Sequence, residues 1–304
     1  MPSGSSVQPA ADLALAELRT ARYALAANIA QFAINLILLI VTAVSVYFAF
    51  RAYYHQKERA KKDAACELAR YYAHDIIQRY DFVSYTFQHS KKEEKIKELF
   101  PYDRLKNFDY KEMTDILAEQ GHDVQKTMSE LFRIEPHIIY QGMIRNARSV
   151  EERHSLCDEY IKETKDSAGN KVTEILHQDM LMLAFTNEVT MLLNDLEWFS
   201  MSCRYGLADE EMLYQSLHLT FLSSVWLLYQ YICFNNRENT DKLFTNVIWL
   251  FNKWADRLRA IEKEAQEEAE QYSQKIEAKK KDLEETERKA RQVEPKVHAG
   301  KGLK

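Results

Sequence analysis

Glycine and proline are scarce in this sequence, at seven and five among 304 residues. Sheet-rich folds need frequent turns, and turns draw on those two residue types, so the shortage argues for long helices. Cysteine is scarcer still. Cys66, Cys157, Cys203 and Cys233 share no metal-ligand or redox spacing, which speaks against a zinc ribbon or a disulfide framework. Their helical, aliphatic surroundings predict small buried side chains in a reducing compartment. No sign of charge dominates: 41 Lys and Arg face 46 Asp and Glu, interleaved through most of the chain, so no direct nucleic-acid binding is expected. Phosphate-cradling glycine loops, nucleophile elbows and HExxH pairs are missing as well. The sequence therefore singles out no catalytic residue and no cofactor, and an enzyme is not expected.

What is there begins near residue 29. Ile29 to Phe50 reads IAQFAINLILLIVTAVSVYFAF, without a formal charge. As a helix it would run about 33 Å, the depth of a bilayer's hydrocarbon core. A secretory signal would have a shorter apolar region, a basic start and a small-residue cleavage site. Here Tyr47, Phe48 and Phe50 close the run, so the expectation is a single transmembrane anchor in contact with the lipid bilayer. Arg51, Lys57, Arg59, Lys61 and Lys62 follow it directly, whereas Arg19 and Arg22 before it are offset by Asp12 and Glu17. By the positive-inside rule the N-terminus faces out and the C-terminal bulk is cytoplasmic. Tyr47, Tyr53 and Tyr54 fall where an interfacial aromatic belt would lie. Within or beside the span, Asn28, Gln31, Asn35, Thr42 and Ser45 occupy a and d positions of one heptad frame. Such a polar stripe fits a seam for self-association, or, in an oligomer, the lining of a pore.

The rest of the chain reads as an all-α cytoplasmic helical domain over 51–258. Helix continues from the anchor through Gln78. Short helices are expected at Tyr110–Glu119, Asp123–Phe132 and Pro136–Ala147, and a longer one at Val150–Thr164, ended by the turn signal Asp166 to Asn170. Val172 to Tyr205 carries an apolar face including Leu176, Met180, Leu183, Phe185 and Val189 at helical spacing. Gly206 reads as a left-handed cap, and Asp209, Glu210 and Glu211 suit the start of the next helix, giving an antiparallel hairpin. Leu217 to Phe234 is open to two readings, a buried core helix or a second span. Trp198, Phe199, Trp249 and Trp254 read as packing aromatics, and His218 as a hydrogen-bonded core residue. From 259 to 294 the chain becomes a long charged helix. Ile261, Tyr272 and Leu283 recur every eleven residues, so it is either a solvated helix or a coiled coil. Residues 1–28 are an N-terminal flank, and 295–304 are expected to be disordered.

Glu151-x-x-His154 and Glu174-x-x-His177 have the spacing that di-iron helical bundles use to put two ligands on one helix face. Glutamate is so frequent here that such matches arise by chance, and no metal site is expected; a helical metalloprotein is the remote alternative.

The layout together with LNDLEWFSMSCRYGLADEEMLYQSL and NVIWLFNKWADRL resembles an uncharacterised bacterial family of membrane-anchored helical proteins. The matching residues are Leu193, Leu196, Glu197, Phe199, Gly206, Asp209, Glu210, Glu211, Trp249 and Trp254, and the match extends over roughly 26–258. It implies the anchor and the fold, in a bacterial inner membrane, and no activity. More loosely the architecture is similar to membrane effectors of bacterial antiviral operons, including retron-type ones. That likeness implies an effector acting by oligomerisation or membrane permeabilisation, with a cytoplasmic protein or ribonucleoprotein partner. A passive tether that recruits a cytoplasmic enzyme is the other expectation.

Overall fold

A computed structural model describes residues 8–165, 171–238 and 241–293. The chain is all-α apart from one small hairpin. It divides into two compact units, the first ending at Asp63 and the second beginning at Ala64.

The first unit lies on helix α1, Gln8–Tyr71, whose 64-residue run contains no proline or glycine after Pro9. Residues 29–50 are exposed throughout, Phe32 at 71% and Leu39 at 66% among them. This is a helix long and apolar enough to cross a membrane. The expected tail at 295–304, the start of the N-terminal flank and the Asp166 to Asn170 turn lie outside the described residues.

The second unit starts with the last two turns of α1. A π-turn, Tyr72–Ile76, joins them to α2, Ile77–His89. Tyr72 and Ile76 are both fully buried there. Then come α3 (Lys92–Leu99), a 3-10 turn (Tyr102–Arg104), α4 (Tyr110–Glu119), α5 (Val124–Phe132), α6 (Pro136–Asn146) and α7 (Val150–Tyr160). Their starts follow from single residues. Asp109, Asp123 and Ser149 each accept a backbone N–H from three residues on, and Pro136 opens α6. The long helices α8 (Gln178–Arg204), α9 (Glu210–Leu227) and α11 (Thr245–Val293), with the short α10 (Tyr229–Asn235) between the last two, complete the unit.

Gly206 follows α8 at φ +64°, with its N–H on the Cys203 carbonyl and the Leu207 N–H on Ser202. That is the two-bond closure a left-handed glycine allows, and it turns the chain into α9. Asp209 then caps α9 through the Met212 N–H. The core sits between α2, α8, α9, α10 and the first part of α11. Aromatic side chains meet edge-on there: Tyr72 against Phe199 at 5.0 Å, Phe221 against Trp254 at 5.1 Å, and Phe108 against Phe251 at 5.0 Å.

Several expectations need correction. The helix expected over Val150–Thr164 stops at Tyr160, and β1 (Ile161–Lys165) pairs antiparallel with β2 (Lys171–Ile175). Ile161, Thr164, Val172, Thr173 and Ile175 are β-branched, and they flank the very turn signal read as a helix end. Helix α8 accordingly begins at Gln178, six residues later than expected, after a left-handed His177. Its buried face includes Leu181, while Met180 and Leu183 are exposed at 51% and 59%. Cys203 and Cys233 are buried, but Cys66 is exposed and Cys157 only half-buried. Leu217 to Phe234 is not one straight helix: it bends by 56° between α9 and α10, and Phe221, Val225, Leu228, Tyr229 and Ile232 lie inside the core. The charged helix expected from 259 is the continuation of a single unbroken helix that begins at Thr245, α11.

Candidate functional site

Two kinds of place could carry function, the apolar segment of the first unit and the polar clusters of the second. In the first, the 3.6-residue repeat puts Asn28, Gln31, Asn35, Thr42 and Ser45 on an arc of about 100°. All five are exposed, but they are not equivalent. The Thr42 hydroxyl donates to the Leu38 carbonyl at 2.8 Å, and the Ser45 hydroxyl to Val41 at 2.8 Å. Both are satisfied by their own helix and need no partner. The Gln31 amide donates to the Asn35 side-chain oxygen at 3.1 Å. One bond between two primary amides leaves further donors and acceptor positions on each, and the Asn28 side chain makes no hydrogen bond among the described residues. The five-residue stripe thus contracts to an amide cluster, Asn28, Gln31 and Asn35.

After the apolar run Arg51, Lys57, Arg59 and Lys62 are exposed and Lys61 is half-buried. Among the described residues none of the five forms an ion pair, so this positive cluster is not neutralised within the first unit. Tyr47, Tyr53 and Tyr54 are exposed beside it, each between 61% and 62%.

In the second unit the polar clusters hold the fold. Arg79 donates to Glu188 at 2.7 Å and pairs with Asp195 at 3.1 Å, and the Tyr71 hydroxyl donates to Asp195 at 2.8 Å. Burial, then the Asp195 carboxylate, pushes the Tyr71 phenol up to about 12. A cleft of about 580 Å³ opens beside this group, lined by Phe82, Met143, Asn146, Arg148, Asn187 and Met191 among others. No cysteine, serine, threonine or histidine is among its lining residues; of its two carboxylates, Glu188 is held by Arg79 and Glu152 accepts the Arg148 backbone N–H.

Glu112 is a second hub. Its carboxylate accepts the backbone N–H groups of Lys106, Asn107 and Phe108 and the Tyr229 hydroxyl. Asn236 and Lys242 reach the same loop, on the carbonyls of Phe108 and Asn107. The Asp109-x-x-Glu112 spacing is a capping-box signature, and so is Ser149-x-x-Glu152. Both spacings stand in the sequence itself and mark the starts of α4 and α7.

Glu197, Glu210, Glu211, Trp249 and Trp254 belong to one structural clasp. Glu197 of α8 accepts the Asn246 and Val247 backbone N–H groups and the Asn246 side-chain amide, capping the N-terminus of α11 from another helix. Glu210 accepts the Trp254 indole N–H at 3.0 Å and pairs with Lys253. Glu211 takes Arg257 through two bonds of 2.7 Å each. Trp249 is half-buried between the cations of Arg204 and Lys253. His218, half-buried, bonds the Tyr214 carbonyl and stacks on its ring at 4.4 Å. The exposed Trp198 packs edge-on against Tyr71 at 5.1 Å.

Of the two Glu-x-x-His pairs, Glu174 lies on strand β2 and His177 at a left-handed position, so the helix-face geometry behind that reading does not apply to them. Among the described residues no three His, Cys, Asp or Glu side chains converge to hold a metal ion. No family model, curated protein or solved structure matches the chain.

Proposed function

We propose that this is a non-enzymatic protein of a bacterial inner membrane. Residues 29–50 span the bilayer with the N-terminus outside, and the body from Ala64 works in the cytoplasm as a binding module. The span self-associates through Asn28, Gln31 and Asn35, and the body engages a protein or ribonucleoprotein partner. The observation that carries the reading is the Gln31–Asn35 pair, a hydrogen-bonded amide couple exposed on an otherwise apolar helix. In hydrocarbon the groups it leaves unpaired cost several kcal/mol unless another helix supplies partners. Such interhelical bonds contribute on the order of 1 kcal/mol each, enough to select a face and weak enough to rearrange. The exposed cations at Arg51, Lys57, Arg59 and Lys62 support the orientation, because they match an anionic cytoplasmic leaflet.

An effector in antiviral defence would use this association to permeabilise the membrane. Fluorescence transfer between tagged copies, with dye entry into expressing cells, tests the proposal. Gln31→Leu with Asn35→Leu should lower transfer and abolish any dye entry while the chain still inserts. Thr42→Leu should change little, since that hydroxyl is satisfied by its own helix. Unchanged transfer in the double variant would remove the seam. The second reading, a passive tether, is favoured by the self-satisfied Thr42 and Ser45, which leave little polar lining for a pore. It expects that an unrelated apolar span restores full function.

A further inference from the structure

Beyond Ala260, α11 is exposed at every residue whose burial is described. It nonetheless carries large apolar side chains in a regular row: Ile261 is 48% exposed, Tyr272 66%, Ile276 67% and Leu283 63%. Ile261 and Leu283 each stand eleven residues from Tyr272, so these three read alike in both directions about that tyrosine, whereas Ile276 has Glu268 as its counterpart. An eleven-residue repeat is close to three whole turns and keeps the row on one face of a nearly straight helix.

The charges around the row have the opposite symmetry. Residues 262–270 hold five glutamates and Lys263, while 274–282 hold Lys275, Lys279, Lys280 and Lys281 against Glu277 and Asp282. Two such helices laid parallel and in register would set the acidic block on its own copy and the basic block on its own copy. Laid antiparallel about Tyr272, each acidic block meets a basic one. Opposite charges flanking an apolar seam fix orientation and partner more than they add strength.

We infer that residues 261–283 of α11 are a docking surface for a second copy of this chain, paired antiparallel with the two-fold axis at Tyr272. Ile261 of each copy then faces Leu283 of the other, the two Tyr272 rings meet on the axis, and Ile276 shares a layer with Ala269. The contact is about 33 Å long. Pairs within one helix, Lys263 with Glu267 and Lys281 with Glu277, hold the helix straight at 3.7 and 3.3 Å. This inference goes beyond the proposed seam in the membrane and draws only on α11.

Thiol crosslinking of the full-length protein in its membranes tests it, with Cys66 and Cys157 replaced by serine. Two differently tagged copies are co-expressed, one Ile261→Cys and the other Leu283→Cys. The mixed adduct should exceed either same-residue adduct several-fold, and Tyr272→Cys should crosslink to itself. Both results should persist in the Gln31→Leu/Asn35→Leu background, which separates this surface from the span. Dominant 261-to-261 and 283-to-283 adducts would mean parallel pairing and overturn the inference. Adduct levels no higher than those of an exposed control, Gln125→Cys, would leave α11 a solvated single helix and overturn it too.

Discussion

Glu197 shows how one carboxylate can decide where a helix begins. The first N–H groups of α11 have no partner within the helix, and the residue before it, Phe244, has no side-chain acceptor to offer; Glu197 reaches over from α8 instead. Glu197→Ala should therefore lower stability by about 1–3 kcal/mol, the usual cost of leaving such donors unpaired. Thermal unfolding of the detergent-solubilised protein measures it, and Glu197→Gln should recover part of the loss because one oxygen remains. An unchanged midpoint would show that solvent satisfies those donors equally well. The sequence drew attention to Glu197 through its neighbours, but its role depends on a residue some fifty positions away. Contacts of that range are not written in any local pattern. Asp109 with Glu112, four residues of sequence, is the contrary case, since its spacing alone announces a capped helix.

Among elements, α4, α5 and α6 were legible because each opens on a start signal, Asp109, Asp123 and Pro136, and carries a clear apolar period. The boundary around β1 and β2 was not. Short alternating runs such as Lys171–Ile175 satisfy helix and strand periods equally over five residues, and the β-branched content that favours a strand was the signal left unweighed. The bend between α9 and α10 was equally hidden, for Leu217 to Phe234 has neither proline nor glycine to mark it. The packing of α6 on α2 makes a sharper forecast. A Cβ placed on Gly142 would stand 2.9 Å from the Phe82 ring and 3.0 Å from the Thr86 hydroxyl. Gly142→Ala should destabilise the second unit by about 1–3 kcal/mol through overcrowding, despite the better helix propensity of alanine. Phe82→Leu in the same chain should recover part of the loss, as read by denaturant midpoints. A stabilised Gly142→Ala protein would show that α2 gives way freely.

For the whole molecule, acid should act through the carboxylates of the second unit. Burial raises the Asp109 carboxyl, but the Glu112 backbone N–H and Lys242 more than offset it, and the group ends below its ordinary value of 3.8. Arg257 holds Glu211 below 4.5. A carboxyl depressed in the folded state binds its proton more readily once unfolded. Its contribution is thus complete above the unfolded value and disappears as pH falls through the folded one. Stability should be level from neutrality down to about pH 5 and decline below about pH 4. Helix content followed by far-UV circular dichroism at rising denaturant checks this, and Lys242→Ala should make the acid limb shallower, because it removes beforehand part of what acid would otherwise remove. A decline that starts near pH 6 would point to histidines instead. At this scale the sequence showed the all-α class and the apolar helix plainly, since both follow from composition and run length. It could not separate the self-satisfied Thr42 from the amides of Gln31 and Asn35, because a heptad frame records position and not hydrogen bonding. The most direct trial of the whole account is alkaline carbonate washing of membranes from cells that express the full chain. The protein should stay with the bilayer and come off only in detergent; recovery in the wash would contradict the anchor and everything built on it.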